Sequence, residues 1–129
     1  MREPILEGGC LCGAVRYRIT GKVPAANLCH CRSCRLATGA PVVGFADLAP
    51  GQFAWTQGEP AFYASSAAVR RGFCPTCGTS LTYESDDLPG EVHVLSASLD
   101  DPAAVPPTGE FFAGEKIAWM HLHLPGAPS

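Results

Sequence analysis

The chain has 129 residues, with nine Lys+Arg against twelve Asp+Glu for a formal net charge of −3, and it carries seven cysteines. That length suits a single domain over residues 1–129, with a core that needs no disulfides, and the near-neutral charge supplies neither a basic field for nucleic acid nor a polyanionic arm. No stretch reaches the roughly 20 apolar residues of a membrane span, and Met1 to Gly9 lacks the apolar segment of a secretory signal. The chain therefore reads as cytoplasmic, with a small-molecule partner and neither nucleic acid nor membrane. In that setting thiols stay reduced, so seven cysteines argue for metal or catalysis over bridges.

Fourteen glycines and twelve prolines cut the chain into pieces too short for long helices. This predicts an all-β fold of short antiparallel strands. In chain order, strands are expected at Ala14 to Ile19, Val42 to Ala46, Gln52 to Thr56, Ala61 to Ala64, Val69 to Phe73, Ser80 to Tyr83, Glu91 to Ser96 and Gly109 to Phe112. In the first, Val15, Tyr17 and Ile19 share one face and Arg16 and Arg18 the other, as a half-buried strand requires. Turn signals such as Gly21-Lys22-Val23-Pro24, Pro50-Gly51, Gly58-Glu59-Pro60 and Pro89-Gly90 separate the strands. Two short helical turns are expected, at Ser33 to Thr38 and at Asp100 to Ala104, and Pro125 to Ser129 is expected to fray.

The cysteines form three clusters: Cys10-Leu11-Cys12, Cys29-His30-Cys31-Arg32-Ser33-Cys34, and Cys74-Pro75-Thr76-Cys77. Cys74 and Cys77 followed by Gly78 have the form of a metal knuckle, and Cys10 and Cys12 followed by Gly13 that of a tighter clip. Two such clips make a closed four-thiolate site, the geometry of structural zinc. Cys29, Cys31 and Cys34 then remain, and three protein ligands plus one open position is the arithmetic of catalytic zinc. Spacing also permits a zinc ribbon from Cys31, Cys34, Cys74 and Cys77, with Cys10, Cys12 and Cys29 left over.

The order Gly9-Cys10-x-Cys12-Gly13, Cys29-His30-Cys31-x-x-Cys34-Arg35 with Thr38-Gly39-Ala40-Pro41, and Arg71-Gly72-Phe73-Cys74-x-x-Cys77-Gly78 resembles the glutathione-dependent formaldehyde-activating enzyme family, whose domain is shared with centromere protein V. The likeness continues through Ser98-Leu99-Asp100-Asp101-Pro102, Trp119 and Leu124-Pro125-Gly126. It implies a zinc-bearing β-tent with two zinc ions per chain. One would be closed on Cys10, Cys12, Cys74 and Cys77, the other open on Cys29, Cys31 and Cys34. It also implies a carbon–sulfur lyase type of activity, joining glutathione to formaldehyde to give S-hydroxymethylglutathione. Two segments depart from the family pattern, Gly109-Glu110-Phe111-Phe112 and Leu122-His123-Leu124-Pro125, where relatives often carry a histidine and an acidic residue.

Three thiolates around a dication leave a net charge of about −1, which blunts Lewis acidity toward water and favours a soft thiol as the fourth ligand. The catalytic candidates are thus Cys29, Cys31 and Cys34, with His30 the nearest proton donor and His93, His121 and His123 reachable by folding. Arg35 and Arg71, each close to a cysteine cluster, are the expected partners of glutathione's carboxylates, ahead of Arg32, Arg70 and Lys116. Thr38 to Pro41 is expected to wall the open site. Trp55, Phe111 and Phe112 are expected in the core, with Trp119 the aromatic best suited to line a pocket. The competing reading is a non-catalytic interaction module in which both zinc ions are structural.

Overall fold

The strand pattern closes into two sheets in the computed structural model, which describes residues 4–124. The elements run β1 Ile5–Gly9, β2 Arg16–Thr20, β3 Ala25–Cys29, α1 Arg32–Thr38, β4 Val43–Leu48, β5 Phe53–Gln57, β6 Ala61–Ser66, β7 Val69–Phe73, β8 Ser80–Ser85, β9 Val92–Leu95 and β10 Gly109–Phe111. Single 3-10 turns occupy Ser96–Ser98, Pro102–Ala104 and Ala113–Glu115. A three-stranded sheet has the order β1-β2-β5 and a seven-stranded sheet the order β10-β3-β4-β9-β8-β7-β6. Among the described residues no helix is long and apolar enough to cross a membrane.

The alternation read from the second strand holds: Val15, Tyr17 and Ile19 are buried, and Arg18 is exposed. Tyr17 stacks on Phe53 at 5.4 Å between ring centroids and meets Trp55 edge-on at 6.4 Å, so Trp55 is a packing residue as expected. This apolar face joins Ala46, Leu48 and Val94 of the large sheet in one core. A register shift between Gly72 and Phe73 lets consecutive Leu81 and Thr82 both be buried. The large sheet thus has one face in the core, while Cys29, Val43 and Phe45 on its other face form a separate cluster with Cys34.

Three expectations are corrected. The sheets are not wholly antiparallel, because β10 runs parallel to β3, with Phe111 opposite Cys29. Because β9 and β3 both run antiparallel to β4, β10 lies parallel to β9 as well, and the segment between them returns over the core face, where Leu99 and Val105 are buried. Thr108 N–H to Ala26 carbonyl at 2.9 Å and His30 N–H to Phe111 carbonyl at 3.0 Å close this pairing. Two strands, β1 and β3, escape the sequence pattern because Gly8-Gly9 and Ala25-Ala26 carry weak strand preference and are held by pairing alone. The turns at Ser96–Ser98 and Ala113–Glu115 were likewise not expected, whereas α1 and Pro102–Ala104 fall where helical turns were placed. Pro125 to Ser129 lies outside the described residues.

An ion pair fastens the segment after β9 to the small sheet near the first cysteine clip. Arg16 Nη1 donates to Asp100 Oδ1 at 2.9 Å and Nη2 to Asp100 Oδ2, while Asp100 N–H bonds the Glu7 carbonyl at 2.9 Å. The Arg16 hydrogen bonds hold the Asp100 carboxyl below its ordinary value of 3.8. Such a depressed group stabilises the fold above the unfolded pKa, and that stability is lost as pH falls through the folded value. The melting-temperature gap between the wild type and Asp100→Asn should therefore be present at pH 6 and close progressively below about pH 4. Because Asp100 is half exposed, the gap should be small.

Candidate metal centres

The seven thiols are free and fall into two groups, Cys10 with Cys12, Cys74 and Cys77, and Cys29 with Cys31 and Cys34. Within each group the sulfurs lie within 4.8 Å of one another. The ribbon arrangement is not the one observed, since the Cys31/Cys34 pair and the Cys74/Cys77 pair sit in different groups.

The four-thiol group is assembled by two tight turns. Gly13 and Gly78 have φ of 81° each, left-handed backbone that a side chain would strain, and each turns the chain back immediately after a cysteine. Gly78 N–H bonds the Cys74 carbonyl at 2.8 Å, and Gly13 N–H the Cys10 carbonyl at 3.2 Å. Backbone amides then point at sulfur: Val15 N–H at 3.3 Å from Cys10 Sγ and Cys77 N–H at 3.5 Å from Cys74 Sγ. Thr79, which spacing did not single out, couples the clips. Its hydroxyl accepts from Leu11 N–H at 3.0 Å and lies 3.2 Å from Cys77 Sγ, holding that thiol down to about 5.

The sulfur spacing tests whether zinc fits. Ligands about 2.3 Å from a tetrahedral ion stand about 3.8 Å apart, and the Cys10–Cys12 and Cys12–Cys74 separations are 3.6 and 3.8 Å. A disulfide needs about 2.05 Å. The second group gives the same result, with Cys29 and Cys34 sulfurs at 3.6 Å. Both donor sets suit a soft, four-coordinate ion.

The three-thiol group is set at the end of β3 and the start of α1. Cys31 caps the helix, its sulfur accepting from Cys34 N–H at 3.4 Å. Cys34 is buried on the inner side of the helix, and Arg71 from β7 reaches it: Nη1 and Nη2 lie 3.7 and 3.8 Å from its sulfur. The Cys29 hydrogen bond, followed by those from Cys31 and Arg71, holds the Cys34 thiol down to about 5. Sharing a proton with Cys34 and being buried, the Cys29 thiol is pushed up.

A cleft of about 480 Å³ opens beside this group. Its far wall is one cross-strand row: Asp47 on β4 faces His93 on β9, His93 faces Tyr83 on β8, and Tyr83 faces Arg71 on β7. The Arg71 guanidinium lies 5.1 Å over the Tyr83 ring, and Tyr83 lies 5.7 Å from His93. His93 is held between two carboxylates, Nδ1 at 3.1 Å from Asp47 Oδ1 and Nε2 at 3.2 Å from Glu91 Oε1. The Asp47 contact is an ion-pair distance without hydrogen-bond alignment, so Oδ1 has no hydrogen-bond partner, while Oδ2 accepts from Asn27 at 2.9 Å. Burial pushes the Asp47 carboxyl up.

Several sequence-predicted residues stand elsewhere. His30 is fully buried, its Nε2 2.7 Å from Glu110 Oε1, and it does not line the cleft. Flanked by Cys29 and Cys31, it points to the opposite side of the strand end. Arg35 is spent locally, its Nε donating to the His30 carbonyl at 3.1 Å. Thr38 to Pro41 contributes no wall, which comes instead from Ser65, Ser66 and Val69. Trp119 is 67% exposed and away from the cleft, whereas Phe111 and Phe112, expected in the core, line it. Asp47, Tyr83, Ser65 and Glu91 were not foreseen. The alternation of Val43, Phe45 and Asp47 along β4 was the one local sign that an acid would share a face with the cysteine cluster.

Residues 5–115 match the family described as glutathione-dependent formaldehyde-activating enzyme. A Schizosaccharomyces pombe protein described as an uncharacterized lyase is 32% identical over 80 residues, covering 62% of this chain and 58% of that protein, so the match spans less than two thirds of that relative's length. A Halomonas elongata protein with the provisional name glutathione-dependent formaldehyde-activating enzyme is 29% identical over 113 residues, covering 80% of this chain and 71% of that one. The crystal structure of a Rhodobacter sphaeroides protein shares the fold, with a TM-score of 0.63 at 24% identity over 81% of this chain and 98% of that one. Since the family match runs through both thiol groups and every strand, the chain belongs to the glutathione-dependent formaldehyde-activating enzyme family.

Proposed function

We propose that the protein is a lyase-type enzyme that joins a thiol to a small aldehyde at Cys29, Cys31 and Cys34. Glutathione and formaldehyde are the pair suggested by the family and by the Halomonas relative's name. The observation that carries this reading is a three-thiol group opening on a cleft of about 480 Å³, beside a four-thiol group that has its full set of ligands. An interaction module with two structural zinc ions would have no use for that cleft. Seven reduced thiols suit a cytoplasmic protein.

Zinc held by Cys29, Cys31 and Cys34 would supply an open coordination position that keeps an incoming thiol deprotonated near neutral pH. The chain's own residues do the rest. Arg71 offsets the negative charge gathered at Cys34 and, stacked on Tyr83, is fixed in that position. Cys31 orients the first turn of α1 and with it Cys34. As the thiol sulfur attacks the carbonyl carbon, charge develops on the aldehyde oxygen and needs a proton. His93, which lines the cleft with Nε2 hydrogen-bonded to Glu91 and Nδ1 beside Asp47, is the group placed to pass that proton on. His30, without access to the cleft, has no part in the transfer.

The test is to mix zinc-loaded protein with glutathione and carbon-13 formaldehyde and follow the hydroxymethyl adduct by NMR exchange. Acceleration that disappears in Cys31→Ser is the expected result. A rate equal to the uncatalysed one with every thiol tried would end this reading and leave the interaction module.

A further inference from the structure

The cleft's charges and walls bear on which thiol it takes. We propose that the thiol substrate carries an apolar, aryl-bearing tail and not a pair of carboxylates such as glutathione's. This rests on the thiol–aldehyde reading above.

Two carboxylates need two counter-charges. Among the described residues that line the cleft, Arg71 is the only arginine or lysine. It is committed on every side: to Cys34, to Ser65 Oγ at 3.1 Å through Nε, and to the face of Tyr83. His93 has a carboxylate at each ring nitrogen. The remaining charged lining residue, Asp47, offers a carboxylate no counter-charge. None of the other candidate cations lines the cleft: Arg35 is spent on the His30 carbonyl and Arg70 on Glu84 at 3.2 Å, and Arg32 and Lys116 stand outside its walls. Glutathione's two carboxylates would enter with no uncommitted cation on the cleft wall to pair them.

The walls are what an apolar tail needs. Phe45 and Tyr83 meet edge-on at 6.0 Å on the floor, and Val69 and Leu88 flank them. Phe111 and Phe112 stand at the mouth, 49% and 61% exposed, so their rings have free surface to offer a ligand. Phe112 also has φ 55° and ψ 42°. It is the only non-glycine residue with positive φ among those described. A bulky aromatic in the left-handed region is a strained choice where glycine would be free, and such strain is retained where it positions a functional group. Here it turns consecutive aromatic side chains to the same cleft, which an extended strand would send to opposite faces.

The chemistry is unchanged. The S–H bond and the carbonyl π bond break, and a C–S and an O–H bond form. The thiol proton leaves to solvent, another reaches the aldehyde oxygen, and no oxidant or reductant enters.

The experiment compares phenylmethanethiol with glutathione, each with formaldehyde and zinc-loaded protein, and expresses each rate as acceleration over the uncatalysed reaction. The acceleration should be at least about tenfold greater for phenylmethanethiol, the scale of one apolar subsite. Phe112→Ala should lower that ratio about fivefold or more, and Phe112→Gly should lower it too while melting at a higher temperature than Phe112→Ala because the strain is relieved. NMR cross-relaxation should connect the ligand ring to Phe111 and Phe112 in the wild type. A ratio favouring glutathione, or one that Phe112→Ala does not move, overturns the proposal and leaves the thiol–aldehyde reading standing. No acceleration of either thiol overturns both.

Discussion

Cys77→Ser is expected to unfold the protein and release one zinc ion per chain, while Cys31→Ser releases one and leaves the fold intact. Cys77 completes a group whose members come from positions 10, 12, 74 and 77, so the site ties the first clip to the knuckle across the sequence separation of 62 from Cys12 to Cys74. Structural zinc sites contribute apparent binding energies of about 10–16 kcal/mol, against a total stability of about 5–15 kcal/mol for an ordinary domain. Losing one of four thiolates therefore removes a term as large as the whole. The substitution also removes the sulfur that lies 3.2 Å from the Thr79 hydroxyl, the group that couples the two clips.

Position 31 differs in kind. Its sulfur caps α1 by accepting from Cys34 N–H, and serine is among the better capping residues. The helix therefore survives the substitution. Metal analysis together with circular dichroism melts distinguishes the two variants: one zinc remaining with a cooperative melt for Cys31→Ser, and loss of the melt for Cys77→Ser. Equal unfolding by both would show that the three-thiol group is as structural as the four-thiol group.

The second large effect is expected at Arg71. Three thiolates around a dication carry a net charge of about −1, and the Arg71 guanidinium, 3.7 to 3.8 Å from Cys34 Sγ, is the cation beside it. Arg71→Gln should lower kcat/KM for adduct formation by about 10- to 100-fold, the range seen when a group that supports a metal ligand is removed. Arg71→Lys should fall between, since an ammonium keeps the charge but loses the fork and the stacking on Tyr83. Because Arg71 faces the cleft and not the core, melting temperature should change little in either variant. A lysine variant as active as the wild type would mean that charge alone matters; a glutamine variant as active would remove Arg71 from the mechanism.

What was legible in the sequence was whatever is written over a few consecutive residues. Cys-x-Cys-Gly and Cys-x-x-Cys-Gly specify tight turns with two sulfurs on one side, and both turns form, with glycine at positive φ. The alternation of Val15, Tyr17 and Ile19 specified which face of β2 enters the core. The Cys31 to Cys34 spacing set a helical turn in which a cap and a buried thiol face each other. Even the missed strands β1 and β3 obey this logic, since their small residues carry little local preference and their pairing partners supply the structure.

The tertiary structure alone decided which residues surround the open cysteines. Asp47, His93, Tyr83 and Arg71 stand in one row because four strands pair in a particular register, and nothing within any one strand encodes that register. The same holds for the arginines: Arg35 is one residue from Cys34 in sequence yet turns to the His30 carbonyl, while Arg71, 37 residues away, reaches the sulfur. Sequence alone determined the chemistry of the ligands, because thiol spacing is local. The register of the large sheet determined their surroundings, because a cross-strand neighbour is fixed by hydrogen bonds between distant segments and not by the residues beside it.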